Sequence, residues 1–249
     1  MFGPGQERQS LPYLLREDQQ QFPVWKMLSK FGNDLSKVAV PVTANQPLSM
    51  LQVLAEVCLH VDVLEQAASF GDSVKRTVWV AIFSVLHFNC LRKRQKKPFN
   101  PLLGETFEHV HEKCRFYAEQ VSHHPPISAF KLEGKGYQAL GHCELKTEMK
   151  FGGGTGCFSV EQKGLIHFNF DNGEVISVSK PNVEVHNLVM GNMFLDLTGS
   201  IRAQNHISGA WAEITFNPRS WNSPISTVTG FGFDRQGNKL FEVSGSWLN

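Results

Sequence analysis

The sequence changes its period near residue 100, and this change constrains the fold more than any other feature. Before it, apolar residues recur at helical spacing; after it, short alternating runs and glycine turns take over. The first part predicts two helices. One runs from Pro47 to about Ala68, with proline in its first turn and Leu51, Leu54, Cys58 and Val61 as its apolar stripe. The other starts at Asp72, a good N-cap, and runs to about Cys90. It is apolar nearly all round from Val78 to Leu86 and should be deeply buried. Upstream, Val24, Met27, Leu28 and Phe31 fall at i, i+3, i+4 and i+7, and Trp25 widens that stripe. This pattern fits a helix packed on the core or an amphipathic lid at a membrane surface, and the residues alone leave both open.

In the second part the runs shorten. Over residues 144–151, Leu145, Thr147, Met149 and Phe151 face one way and Glu144, Lys146, Glu148 and Lys150 the other. Ile166, Phe168 and Phe170 likewise oppose Leu165, His167 and Asn169, and Asp171-Asn172-Gly173 reads as a hairpin turn. Gln236-Gly237-Asn238 reads as another turn, before a last strand from about Leu240 to Trp247. Short strands with short turns between them predict an antiparallel meander, hence a barrel or a large curved sheet.

Composition excludes several classes. Lys plus Arg is 24 and Asp plus Glu is 23, a net charge of +1, so no global basic field attracts nucleic acid. The longest uncharged stretches, residues 38–55 and 77–91, carry prolines or polar side chains. A membrane-spanning helix needs about 20 mostly apolar residues. The N-terminus, MFGPGQERQS, has no apolar core of a secretory signal. The five cysteines, Cys58, Cys90, Cys114, Cys143 and Cys157, are odd in number and widely spaced without C-x-x-C. This argues against a disulfide framework or zinc ribbon and for reduced thiols in the cytosol. Neither a metal nor a cofactor is expected.

The most unusual run is Glu119-Gln120-Val121-Ser122-His123-His124-Pro125-Pro126. Adjacent histidines on a regular strand point to opposite faces, but at a strand end broken by prolines both rings can converge on one ligand. Structural hydrogen bonding is the plainer role for such a pair. His109 and His111 have H-x-H spacing without a third ligand in view, and read as same-face surface residues. H-E-x-x-H and G-x-S-x-G are absent, and Gly152-Gly153-Gly154-Thr155-Gly156 lacks the Lys-Ser/Thr end of a phosphate loop. Nothing here activates a nucleophile, so an enzyme is not expected. Residues 92–97 hold five cations in six positions, a solvated loop or a phosphate contact.

The eight-residue run EQVSHHPP resembles the signature of the oxysterol-binding protein family of lipid-transfer proteins. Lys97-Pro98-Phe99-Asn100-Pro101-Leu102-Leu103-Gly104-Glu105 resembles the family's K-P-x-N-P-x-L-G-E segment. Phe31-Gly32-Asn33-Asp34-Leu35-Ser36-Lys37-Val38 with Pro41, and Val185-His186-Asn187-Leu188-Val189-Met190-Gly191, resemble two further family segments.

The resemblance implies one α+β domain: an N-terminal segment and lid (1–42), a helical layer (43–97) and a large, nearly closed antiparallel β-barrel around an apolar tunnel (98–249). It implies a carrier of one sterol or phosphatidylinositol 4-phosphate between membranes, cytoplasmic and peripheral at organelle membranes, with transient surface contact. The alternative is a lipid sensor or scaffold without transfer. Lys97, Pro98, Phe99, Asn100, His123 and His124 are then expected at the phosphoinositide head. Leu35, Ser36, Lys37, Val38, Ala39 and Val40 are expected against the lipid where lid meets core. Trp25, Met27, Leu28 and Phe31 form the lid face, and His87 stands where some members place a glutamine for the sterol hydroxyl. The family domain normally continues past a Gly-x-Trp strand, here Gly245-Ser246-Trp247, whereas this chain stops at Asn249.

Overall fold

The computed structural model describes residues 42, 45–91, 96–150, 156–187, 194–219 and 226–248. The expected lid helix with Trp25, Met27, Leu28 and Phe31, the junction Leu35 to Val40, and residues 92–95 and 152–155 lie outside the described residues.

The first expected helix is corrected. Residues Asn45–Ser49 form a strand, β1, and Pro47 lies within it rather than in a helical first turn. Ser49 is the N-cap of α1 (Met50–Leu54), in a capping box completed by the Gln52 side chain. Ala55–His60 is then 3₁₀ helix before α2 (Val61–Ser69). Leu51, Val53 and Leu54 of α1, Val57 of the 3₁₀ stretch and Val61, Leu64 and Ala67 of α2 are the residues these three pieces bury.

The second helix forms where the sequence places it. Asp72 caps α3 (Ser73–Leu86) by accepting from the Val74 and Lys75 amides at 2.8 and 3.0 Å. A 3₁₀ turn, His87–Leu91, follows. Val78, Val80, Ala81, Phe83 and Val85 are all buried, and the apolar residues left partly open to water are Trp79, Ile82 and Leu86, on one stripe.

The rest is strand: β2 (Lys97–Phe99), β3 (Thr106–Val110), β4 (Cys114–His123), β5 (Pro126–Gly134), β6 (Tyr137–Lys150), β7 (Cys157–Lys163), β8 (Ile166–Phe170), β9 (Val175–Val178), β10 (Asn182–His186), β11 (Phe194–Asn205), β12 (Trp211–Asn217), β13 (Thr227–Phe233) and β14 (Lys239–Gly245). β2 pairs in parallel with β1 as a separate two-stranded ladder. The other twelve strands form one antiparallel sheet. β7 and β8 lie end to end along β6, and β9 and β10 lie end to end along β11. Each pair is one long strand with a break, at Gly164-Leu165 and at Ser179-Lys180-Pro181, so the sheet is an up-and-down meander. The hairpin at Asp171-Asn172-Gly173 forms as expected, with Gly173 at φ 87°. Gly237, at φ 85°, makes the last turn.

The sheet curls about α3, which touches β9, β11, β12, β13 and β14. Phe83 meets Phe168 of β8 edge-on at 5.8 Å, and Phe88 meets Phe216 of β12 at 6.4 Å. The closest approach is at Gly232, where a Cβ would stand 2.2 Å from the Val78 Cγ2 methyl. Gly232→Ala should destabilise by about 1–3 kcal/mol, the usual cost of overpacking. Urea denaturation checks this, and an unchanged midpoint would refute it.

A buried ion pair fixes the start of α3. Arg76 Nη1 donates to Glu174 Oε2 at 2.6 Å, and its other nitrogens donate to the Ala67 and Phe70 carbonyls. Glu174 also accepts from Ser73 Oγ and from Asn205 Nδ2, the latter at 2.9 Å. Burial raises the Glu174 pKa, but the donors Ser73, Arg76 and Asn205 together outweigh it, and the carboxyl is held below its ordinary value. Its unfolded value is about 4.3. A depressed folded pKa gives stability that is present above the unfolded value and is lost as pH falls through the folded one. Glu174→Gln should therefore be less stable than the parent at neutral pH, with the gap narrowing below about pH 4. A gap that is constant with pH would refute this.

Candidate functional site

The two unusual motifs meet at one end of the sheet. Residues Pro101–Glu105 turn back through the Glu105 amide, which donates to the Leu102 carbonyl at 3.0 Å, with Gly104 at φ 77°. Beyond the turn, the Gly104 amide donates to the Gln120 carbonyl at 2.9 Å, and the Gln120 amide donates to the Glu105 carbonyl at 3.0 Å. The Lys97–Glu105 segment is thus stitched to the strand that carries the histidines. Glu105 adds a second tie. Its carboxylate accepts from Ser49 Oγ at 2.6 Å and from the Leu102 amide at 2.9 Å, linking the turn to the cap of α1.

The histidine run departs from a regular strand as its prolines require. The β4–β5 register shifts between Gln120 and Ser122, and the His124-Pro125 peptide is cis. Gln120 is buried, donates to the Ser122 carbonyl at 2.9 Å and accepts from Ser128 Oγ. Ser122 Oγ donates to the Pro125 carbonyl at 2.7 Å. These bonds fix the tip, where the His123 and His124 rings converge to 4.8 Å at an interplanar angle of 76°. His123 Nδ1 is buried without a hydrogen-bond partner among the described residues. Lys97, Asn100 and His124 are exposed, and none makes a side-chain hydrogen bond to another described residue. Apolar side chains stand exposed in the same segments: Phe99, Leu102, Leu103 and Val121. His109 and His111 lie elsewhere, stacked at 6.3 Å and exposed, as same-face surface residues.

His87 is not at this rim. It opens the 3₁₀ turn after α3 and lines an internal cavity with Leu54, Phe83, Phe130, Ile166 and Gln162. Sequence reading missed four polar residues of that cavity, Ser84, Gln162, Ser179 and Lys180. Lys180 Nζ donates to the carbonyls of His142 and Lys163. Burial pushes its pKa below the ordinary lysine value, and the nearby Cys143 thiol counters part of that. The only local signal was a lysine beside a proline after the apolar run Val175–Val178, which marks a strand break but not its direction.

Burial raises the pKa of the Cys58, Cys114 and Cys143 thiols, which favours the protonated form over the thiolate.

Glu105 should be the residue that shapes the rim without touching a ligand. Glu105→Ala is expected to cost about 1–3 kcal/mol through two lost charge-assisted hydrogen bonds. It should also speed amide exchange at Leu102 and Gly104. Unchanged exchange at both amides would refute this.

Residues 23–249 match the family profile described as oxysterol-binding protein. Oxysterol-binding protein homolog 2 of Saccharomyces cerevisiae is 36% identical over 241 residues, covering 93% of this chain and 18% of that protein. Human oxysterol-binding protein-related protein 2 is 35% identical over 241 residues, covering 95% of this chain and 49% of that protein. The chain thus spans half or less of these relatives. Among solved structures, the Osh1 ORD domain in complex with ergosterol superposes with a TM-score of 0.88 at 35% identity, covering 98% of this chain and 59% of that one. The Osh3 ORD in complex with PI(4)P, from Saccharomyces cerevisiae, superposes with a TM-score of 0.79 at 26% identity, covering 90% and 61%. Motif, fold and profile agree over nearly the whole chain, and the protein belongs to the oxysterol-binding protein family.

Proposed function

We propose that this domain binds one membrane lipid at a time, a sterol or phosphatidylinositol 4-phosphate, and carries it between membranes without covalent chemistry. The observation that carries this reading is the convergence of His123 and His124 beside the Lys97–Glu105 segment, with their polar atoms uncommitted among the described residues. A phosphomonoester is an acceptor only. It suits a rim of lysine, amide and imidazole donors, where charge-assisted bonds form. A sterol is apolar apart from one hydroxyl and needs a mostly apolar pocket; Leu54, Phe83, Phe130 and Ile166 line a cavity of about 30 Å³ that in this reading is one part of it and widens to admit the lipid. Ser84, His87, Gln162, Ser179 and Lys180 are the cavity's polar groups.

Support also comes from the relatives, since ORD domains of this family have been solved with ergosterol and with PI(4)P. In this reading the exposed Phe99, Leu102 and Leu103 dip into the bilayer surface during extraction. Residues 22–31 serve as the lid, with Trp25, Met27, Leu28 and Phe31 toward the lipid, and residues 35–40 line the junction. No helix among the described residues is long and apolar enough to cross a membrane, so contact with the bilayer is at its surface in this reading.

The test is extraction from liposomes. His123→Ala with His124→Ala should lower phosphatidylinositol 4-phosphate extraction by at least ~10-fold, since each lost charge-assisted bond is worth about 1.5–3 kcal/mol. Sterol extraction should stay within about twofold, because no apolar contact is removed. Equal loss of both lipids, with circular dichroism unchanged, refutes the assignment. Extraction without liposome-to-liposome transfer would make the domain a sensor.

A further inference from the structure

We propose that Cys157, Glu184 and His186 form a zinc site on the outer face of the sheet, separate from the lipid cavity. Cys157 opens β7 and His186 closes β10, and the two are direct cross-strand partners. Glu184 lies two residues before His186, hence on the same face. One ligand atom from each of the three lies within 4.8 Å of the others, and all three residues are half-buried. His186 Nε2 and Glu184 Oε2 are already 3.2 Å apart. That is close to the spacing of about 3.5 Å that two ligands adopt around one tetrahedral zinc.

The site is on the other face from the lipid cavity. β7 pairs with β10 and β6 without a register shift, and its Gln162 lines the cavity. Cys157 and Gln162 are an odd number of positions apart, so their side chains leave opposite faces.

The donor set suits zinc rather than calcium or magnesium. A thiolate and an imidazole are ligands for borderline-soft cations, whereas calcium and magnesium take oxygen alone. The thiolate and carboxylate together also balance a dication. Three protein ligands leave the fourth tetrahedral position to water. His186 needs little reorganisation, because its ring stacks on Phe194 at 5.0 Å and 19°. The cysteine count alone could not disclose this, since its three members come from two strands joined only by the fold.

The experiment uses the untagged, reduced protein, first stripped with a chelator. Titration with Co²⁺ should give a thiolate-to-cobalt charge-transfer band that saturates at one equivalent, and Zn²⁺ should abolish it by displacement. Cys157→Ser should remove the band. His186→Ala and Glu184→Gln should weaken Co²⁺ binding by at least ~10-fold. Cys58→Ser, on the helical layer, should bind as the parent does. Absence of a charge-transfer band in the parent overturns the proposal. So does a band that survives in Cys157→Ser, or parental affinity in His186→Ala. If Cys157→Ser does not fold by circular dichroism, the His186→Ala and Glu184→Gln titrations decide.

Discussion

The structure depends on covering one helix on nearly every side. α3 carries apolar residues all round and leaves the stripe of Lys75, Trp79, Ile82 and Leu86 only partly exposed, so no single face of a flat sheet could cover it. The sheet curls around the helix, and Gly232 meets it at Val78. Only the polar first turn of α3 needs other partners. Arg76 and Ser73 find them in Glu174, on the turn between β8 and β9, so one carboxylate ties the helix start to the sheet. Asn205, at the end of β11, joins the same carboxylate and extends the tie across the meander.

Local signals in the sequence were reliable where the structure is local. The Asp72 cap, the apolar run after it, the Asp171-Asn172-Gly173 hairpin and the inward set Ile166, Phe168 and Phe170 all depend on neighbours a few residues away. The Pro47 reading failed for the opposite reason. β1 exists because it pairs with β2, some fifty residues on, and no window around Pro47 contains that partner. The 3₁₀ stretch Ala55–His60 left no local mark, since it buries only Val57 and the α-helix after it buries residues at the same steps of three.

The rim was legible as two runs of residues but not as a piece of architecture. The convergence of His123 and His124 follows from the prolines, and that much is local. The role of Glu105 is not. Its carboxylate bridges an N-cap serine and a turn amide that belong to separate segments. The side chain that closes a family motif is therefore architectural.

The strand breaks have a consequence for what the cavity offers a guest. A break in a long strand strips backbone carbonyls of their ladder partners, and here Lys180 supplies donors to two of them, at His142 and Lys163. An ammonium group has three hydrogens, so at most one is left for an incoming oxygen. The cavity wall thus contains a cation whose attention is already divided. An incoming oxygen, whether of a hydroxyl or of an anion, therefore meets a single N–H here, and drawing a second would leave one backbone carbonyl at the break without its donor.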